Sequence, residues 1–257
     1  MDIIANVELN NLFIKWQDLH ERENSFKETA PKALIYKNNP EVNKLAFIKD
    51  GMISPQDYQG KILFILKESN EQKTCNEGEP IGKKDQIKEW FYEANINKNK
   101  LCTLMRKMAH ISSAIYESPS TDIEALTQVA YMNINKRGGG SYTNAKILEK
   151  YADEYRDQIM KEIEILNPDY VLCCGITDKS VFDILKDDVY EKKDCYELSD
   201  IKEFSCFTKQ IKNKKTLFVK LPHLSARRDY AEVINNFPTE FPNLIKQYTQ
   251  LENNFER

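Results

Sequence analysis

The order of apolar and polar positions along the chain predicts strands that alternate with helices. Three stretches are almost continuously apolar between polar turns, at residues 61–68, 128–134 and 169–175, as is typical of strands that are buried on both faces. Residues 203–221 predict two further strands, which the lysine-rich turn "IKNKK" connects.

Apolar residues spaced at three and four predict the helices. The predicted helical ranges are 6–28, 101–117, 151–166 and 177–185, and two more helices are expected after the last strand. Strands that alternate with helices indicate a mostly parallel sheet covered on both faces. The predicted fold class is therefore α/β, a three-layer α/β/α sandwich with a mostly parallel central sheet.

The length of 257 residues allows one substantial core, and 41% of the residues are hydrophobic. We expect a single domain over residues 1–257, in which residues 1–58 form a helical N-terminal extension packed on the rest. The formal net charge of -3 gives no global positive field that would indicate a nucleic-acid partner, although local basic patches remain compatible with it.

The six cysteines show no C-x-x-C pair, which favours a reducing cytosol. No apolar stretch approaches the roughly 18 residues of a membrane span, and the start "MDIIANVELNN" lacks the order of a signal peptide. These patterns predict a cytoplasmic protein without a membrane partner.

Polar residues follow each predicted parallel strand. The four strand ends read "KESNE", "NINKRGGG", "GITD" and "PHLSARR". Ligands of parallel sheets bind beyond the carboxyl ends of the strands, so a functional site is expected where these segments meet.

These segments, in their order along the chain, resemble the motifs of the uracil-DNA glycosylase superfamily. "FILKESNE" occupies the place of the family's first-strand motif, although the glycine and proline of that motif are missing. "GEPIG" is similar to a Gly-x-Pro-Phe segment, with Ile81 in the place of the base-stacking aromatic residue. "MNINKRGGG" is similar to a strand end whose amide, here Asn133, reads the base.

The resemblance continues to the C-terminal part and covers about residues 60–235. "EIEILNPDYVLCCG" resembles the helix and strand that precede the last motif, and "PHLSAR" resembles the His-Pro-Ser motif with Leu224 in the place of proline. The four cysteines of the iron-sulfur branch have no counterparts, so we expect no metal and no cofactor. The resemblance implies a uracil-DNA glycosylase-like fold, DNA as the partner and a monomer.

The resemblance also implies roles for individual residues. His223 would donate a hydrogen bond to the departing base, and Glu68 would position or deprotonate water or stabilise the sugar cation. Asn70 is the alternative residue for positioning water. The implied substrate-binding residues are Lys67, Ile81, Asn133 and Ser225, and the implied nucleic-acid-binding residues are Lys136, Arg137, Gly138, Gly139, Gly140, Arg227 and Arg228.

The predicted function is that of a DNA glycosylase that removes a damaged or modified base from a flipped-out nucleotide, for example in foreign DNA such as that of a phage. Two alternatives stay open. One is a nucleic-acid-binding protein on the same fold that has lost catalysis, and the other is an enzyme that acts on free nucleotides or nucleosides. The residues at the strand ends also have plain structural interpretations, as surface carboxylates or turn residues.

Overall fold

A computed structural model describes residues 3–23, 29, 47–70, 101–116, 121–139, 143–175, 179–186, 205–224 and 231–255. The strands are β1 (Gly51–Met52), β2 (Ile62–Asn70), β3 (Ala130–Gly139), β4 (Tyr170–Cys174), β5 (Cys206–Ile211) and β6 (Lys214–Leu221). The helices are α1 (Ile3–Arg22), α2 (Thr103–Tyr116), α3 (Asp122–Thr127), α4 (Ala145–Glu154), α5 (Arg156–Leu166), α6 (Lys179–Lys186) and α7 (Ala231–Phe255).

The six strands form one mixed sheet in the order β1-β3-β2-β4-β6-β5. The four central strands are parallel, and the two edge strands β1 and β5 run antiparallel to their neighbours. The register aligns Leu66 with Asn133 and Glu68 with Asn135, so the carboxyl ends of β2 and β3 lie next to each other.

Side chains of β2 alternate between two apolar clusters, as the pleat of a strand requires. Leu63 and Ile65 pack on one face of the sheet with buried residues of α1, α4, α5 and α6. Phe64 and Leu66 pack on the other face with buried residues of α2, α3 and α7. The sheet therefore lies between two layers of helices, and the predicted α/β sandwich is confirmed at this level.

Most predicted elements are confirmed within about three residues. Two have different bounds, since α1 spans Ile3–Arg22 where 6–28 was expected and β3 spans Ala130–Gly139 where 128–134 was expected. The prediction of one helix over residues 151–166 is wrong. The range 151–166 is interrupted at Tyr155, whose φ of -112° and ψ of 26° are not helical, so that α4 and α5 are separate helices. Two helices were expected after the last strand, and the described residues 231–255 form one helix, α7, that is continuous through Pro238 and Pro242. Its buried residues Phe237 and Phe241 pack against the second cluster.

The first helix contributes directly to the core. Leu9, Phe13 and Trp16 of α1 are buried in the same cluster as the sheet residues, and Trp16 is completely inaccessible. No helix among the described residues is long and apolar enough to cross a membrane.

Candidate functional site

The candidate site lies at the carboxyl edge of the parallel strands. From β2 the chain moves to β3 on one side, and it then crosses back to β4 and β6 on the other side. The junction between β2 and β4 is therefore the point at which the strand order reverses. Crevices at such points are the usual ligand sites of open α/β sheets.

Glu68 lies near the end of β2, where Leu66 is still part of the apolar core. Burial raises the pKa of Glu68 to about 7, against the smaller lowering effects of a hydrogen bond from Thr143 and of the Lys67 charge. A carboxyl group with this pKa is present in both protonation states at neutral pH. It can therefore accept or release a proton during a reaction.

Thr143 holds the Glu68 carboxyl group from the start of the next helix. Its hydroxyl donates to the carboxylate, and Asn144 caps α4 by accepting hydrogen bonds from the amides of Lys146 and Ile147 at 3.1 and 3.4 Å. The cap fixes the backbone immediately after Thr143. Thr143 was not among the predicted site residues. The signal that could have identified it is Asn144, a helix-capping residue type that directly precedes the amphipathic segment of α4.

His223 follows β6 and lies directly against Gly175, the residue after β4. A Cβ atom at Gly175 would lie 2.7 Å from the Cβ and 2.8 Å from the Cδ2 of His223. The φ of +77° at Gly175 also favours glycine, and its N–H donates to the Leu221 carbonyl at 2.8 Å. The ends of β4 and β6 together position the imidazole.

Two ammonium groups act on the histidine, and one of them also acts on the carboxylate. Burial lowers the pKa of His223, and the charges of Lys67 and Lys107 lower it further, so the imidazole is neutral at pH 7. Lys67 also acts on Glu68. The charge of Lys67 therefore acts on the pKa of both Glu68 and His223. Lys107, on α2, was missed because α2 is far in sequence from the strand-end motifs.

The raised pKa of Glu68 gives a prediction for stability. Between pH 4.5, its ordinary pKa, and about 7, the unfolded chain loses the proton of Glu68 while the folded protein keeps it. The free energy of unfolding should therefore fall as the pH rises through this window, and it should not change further on account of Glu68 above it. The variant Glu68→Gln should lack this contribution to the change of the free energy of unfolding with pH.

Urea denaturation of wild type and Glu68→Gln between these pH values tests the prediction. Glu149→Gln, at an exposed position of α4, is the matched control. A difference between wild type and Glu68→Gln that stays constant with pH would contradict the raised pKa.

Lys136 does not face this site, which corrects the expectation that it contacts DNA. Its side chain is fully buried, and its ammonium nitrogen lies 2.6 Å from Asp50 Oδ1 and 2.7 Å from Glu162 Oε2. The ammonium group also lies over the rings of Trp16 and Phe13, at 5.1 and 5.5 Å from their centroids. A phosphate cannot reach it without disruption of the core.

Burial is also the largest influence on the pKa of Glu162 in this cluster. It raises the pKa of Glu162, and the adjacent Asp50 carboxylate raises it further, whereas Lys136 lowers it; the net result is a pKa well above the ordinary range. The ammonium group of Lys136 thus lies between two buried carboxyl groups, those of Asp50 and Glu162.

Arg137 is also buried, and the same correction applies to it. Its guanidinium pairs with Glu23 and donates to the Thr29 hydroxyl at 3.0 Å. Tyr155 donates to the same Glu23 carboxylate at 2.6 Å, and the guanidinium carbon lies 5.5 Å from the centroid of the Tyr151 ring. Arg137 therefore joins β3 to the helices of one face, and its predicted contact with DNA phosphates is not what the structure shows.

Asn133 is 2% exposed, and its backbone N–H donates to Asp50 Oδ2 at 2.6 Å. It pairs with Leu66, two residues deeper in the sheet than the pair of Glu68 and Asn135. Base reading by its amide stays a prediction.

The remaining predicted residues lie at the limits of the described chain. Asn70 is the last residue of β2, and its side chain is not described. It pairs with Gly139, and Gly138 and Gly139 are the last two residues of β3. Five others lie outside the described residues, namely Ile81, Gly140, Ser225, Arg227 and Arg228. Their proposed roles stay predictions.

Known family models give no match to the sequence, and a search of curated proteins gives none either. The functional interpretation of this edge therefore depends on its own geometry and chemistry.

Proposed function

We propose that the protein hydrolyses the N-glycosidic bond of a nucleotide in DNA, with Glu68, Lys67 and His223 as the reacting edge. One observation carries this proposal. A carboxyl group with a pKa of about 7 and an imidazole with a lowered pKa both lie at the carboxyl edge of the sheet, where the charge of Lys67 acts on each of them.

The departing base explains the need for His223 and the lysines. When the bond between the sugar C1′ and the base nitrogen breaks, the base leaves with the electron pair and becomes anionic. A neutral imidazole can donate a hydrogen bond to this anion, and the positive field of Lys67 and Lys107 stabilises it. Donors of this kind act mainly in the transition state, where the charge develops.

Glu68 acts on the sugar and on the attacking water. The sugar acquires oxocarbenium character, which a nearby carboxylate stabilises electrostatically. Water then forms the new bond to C1′, and the ionised form of Glu68 accepts the proton that the water loses. The base receives a proton from solvent after it leaves, so the products are a free base and an abasic sugar.

A second function, hydrolysis of a free nucleotide or nucleoside, is favoured by the burial of Lys136 and Arg137. Lys136 and Arg137 are buried and cannot bind a ligand. In the described part of the chain, the cations that act on His223 are Lys67 and Lys107. Two ammonium groups suffice for one small anion. The net charge of -3 also suits a small substrate better than a polyanion.

Base release from a panel of substrates distinguishes the two functions. The panel contains duplex and single-stranded oligonucleotides with different modified bases, together with the corresponding free nucleosides and their 5′-monophosphates. Release from oligonucleotides alone supports the glycosylase, and release from the free compounds alone supports the alternative. Binding of oligonucleotides without release of any base would overturn both enzymatic proposals in favour of a binding protein.

If the substrate is DNA, Lys67 and Lys107 should contribute to binding that depends on salt. Each phosphate contact adds about 0.9 to the slope of log K against log salt for duplex DNA. We therefore expect Lys107→Ala to weaken binding to all sequences alike and to reduce the slope by about 1. Fluorescence anisotropy at several salt concentrations measures both quantities.

Lys161→Ala is the matched control, because Lys161 is a half-exposed lysine of α5 on the other face of the sheet. It should leave the slope unchanged. An equal slope for wild type and Lys107→Ala would remove Lys107 from the DNA interface.

A further inference from the structure

A cavity of about 370 Å³ lies at the opposite end of the sheet from the candidate active site. It is formed where β2, β4 and β6 begin, between the N-terminal part of α1, the C-terminal end of α5 and the turn between β5 and β6. Its volume is within the range of pockets that bind small molecules.

The hairpin turn supplies the positive charge of this cavity. Lys214 lines the cavity and donates to Asp169 Oδ1 at 2.6 Å and to the Gly60 carbonyl at 3.1 Å, so its ammonium group is fixed in place and neutralised. Lys212 also lines the cavity and is exposed, with a φ of +51° at the turn. Lys61 lines the cavity too, but its ammonium group lies over the Tyr116 ring, 5.0 Å from the centroid. Lys212 is therefore the exposed lysine of the lining that is available to a ligand.

The acidic residue on the α1 side is partly compensated. Glu8 lines the cavity and is exposed, and its charge raises the pKa of Lys161 on α5. With the Lys214–Asp169 pair neutral, Lys212 leaves the hairpin side of the cavity positive. An anionic group of a ligand would be attracted to that side.

The end of α5 supplies an acceptor without a partner. Asn167 adopts the left-handed conformation that ends the helix, with a φ of 46°, and it lines the cavity. Its Oδ1 atom is buried and accepts no hydrogen bond from the described residues. Buried polar atoms are normally paired, so a donor on a bound molecule would satisfy this acceptor when the partly exposed Asn167 side chain turns its amide into the cavity.

The other walls are apolar. Met52, Ile165 and Leu166 line the cavity together with Tyr58, whose hydroxyl donates to the Leu166 carbonyl at 3.0 Å and is thereby held away from solvent. Ile4 of α1 also lines the cavity and is 69% exposed. These surfaces fit a ring or a hydrocarbon chain.

We propose that this cavity binds a small organic anion, in which an apolar ring carries a phosphate or carboxylate and an N–H or O–H donor. The anionic group pairs with Lys212, the donor reaches Asn167 Oδ1 and the ring packs against Ile4 and Leu166. The site is separate from the Glu68–His223 edge, and the inference does not depend on the function of that edge.

Isothermal titration calorimetry with four probes tests this site on the full chain. Adenosine monophosphate and indole-3-acetate are the phosphate and the carboxylate that carry a ring and a donor. Adenosine supplies a ring without the charge, and inorganic phosphate supplies the charge without a ring. At least one of the two ring-bearing anions should bind, and both partial probes should bind more weakly than it does.

Variants then assign the binding to this cavity. Lys212→Glu should weaken binding by about tenfold or more, because the charge that attracts the anion is reversed. Gln59→Trp should also weaken binding, because Gln59 is an exposed residue of the lining and the larger side chain would occupy part of the cavity. Lys215→Glu is the matched control, since Lys215 belongs to the same hairpin and does not line the cavity.

Failure of both ring-bearing anions to bind would overturn the proposal. Binding that Lys212→Glu and Gln59→Trp leave unchanged would also overturn it, because the anion would then occupy another site, such as the Glu68–His223 edge. Melting curves of both variants without ligand show whether they are folded.

Discussion

Replacement of His223 by alanine should slow base release in a single turnover by about 10² to 10³, the usual effect of removing one donor to a developing anion. DNA binding should change little, because the imidazole is neutral in the ground state and acts once the base becomes anionic. The measurement is single-turnover release from whichever modified oligonucleotide the panel identifies, beside anisotropy for binding.

His110→Ala is the matched control for this experiment. His110 lies on α2, its side chain is 65% exposed, and its nearest described acid is Asp122 at 3.9 Å. The variant should release the base at the wild-type rate. Equal rates for wild type and His223→Ala would refute the proposed role of the histidine.

Gly175 provides a second way to displace the same imidazole. Gly175→Ala would introduce a Cβ atom 2.7 Å from the Cβ of His223, at a backbone conformation that alanine rarely adopts. Base release should fall in this variant although His223 is still present. A drop in rate together with retained binding indicates that the position of the imidazole matters.

Replacement of Lys136 by methionine should lower the free energy of unfolding by about 3 to 5 kcal/mol, the usual cost of breaking a fully buried ion pair. The variant leaves the Asp50 and Glu162 carboxyl groups buried without the ammonium group that lies 2.6 and 2.7 Å from them. Urea denaturation of the wild type and the variant at pH 7 measures the difference.

Two further variants define the origin of this loss. The triple variant Asp50→Asn, Lys136→Met and Glu162→Gln carries no charge in the cluster and should recover part of the stability. Lys161→Met removes an exposed pair with Glu164 and should change the free energy of unfolding by less than about 1 kcal/mol. If Lys136→Met were as mild as Lys161→Met, the buried pair would not stabilise the fold.

The pattern of apolar residues predicted the sheet well because buried strands are short, continuous and bounded by polar turns. The β5–β6 hairpin and the three parallel strands before it were all identifiable in this way. The location of His223 at a strand end followed from the same pattern. Its neighbours in space did not, because Lys107 and Thr143 belong to other elements.

The burial of Lys136 and Arg137 could not be predicted from their local sequence. A Lys-Arg pair before three glycines is typical of an exposed loop, and the sequence offers no nearby acid that would indicate burial. Their partners come from distant segments: Asp50 is 86 residues from Lys136, and Glu23 is 114 residues from Arg137. Long-range ion pairs of this kind depend on the folded topology.

The position of these buried partners has a consequence for any attempt to shorten the chain. Glu23, Thr29 and Asp50 all belong to the first 58 residues, and Trp16 covers the Lys136 ammonium group. Deletion of this segment would remove the Glu23 partner of Arg137 and the Asp50 partner of Lys136, and it would leave Glu162 beside Lys136. The N-terminal part therefore shares a core with the sheet, and a chain that begins at Gln59 would lack the acidic partners Glu23 and Asp50 as well as the wall of the core that Leu9, Phe13 and Trp16 form.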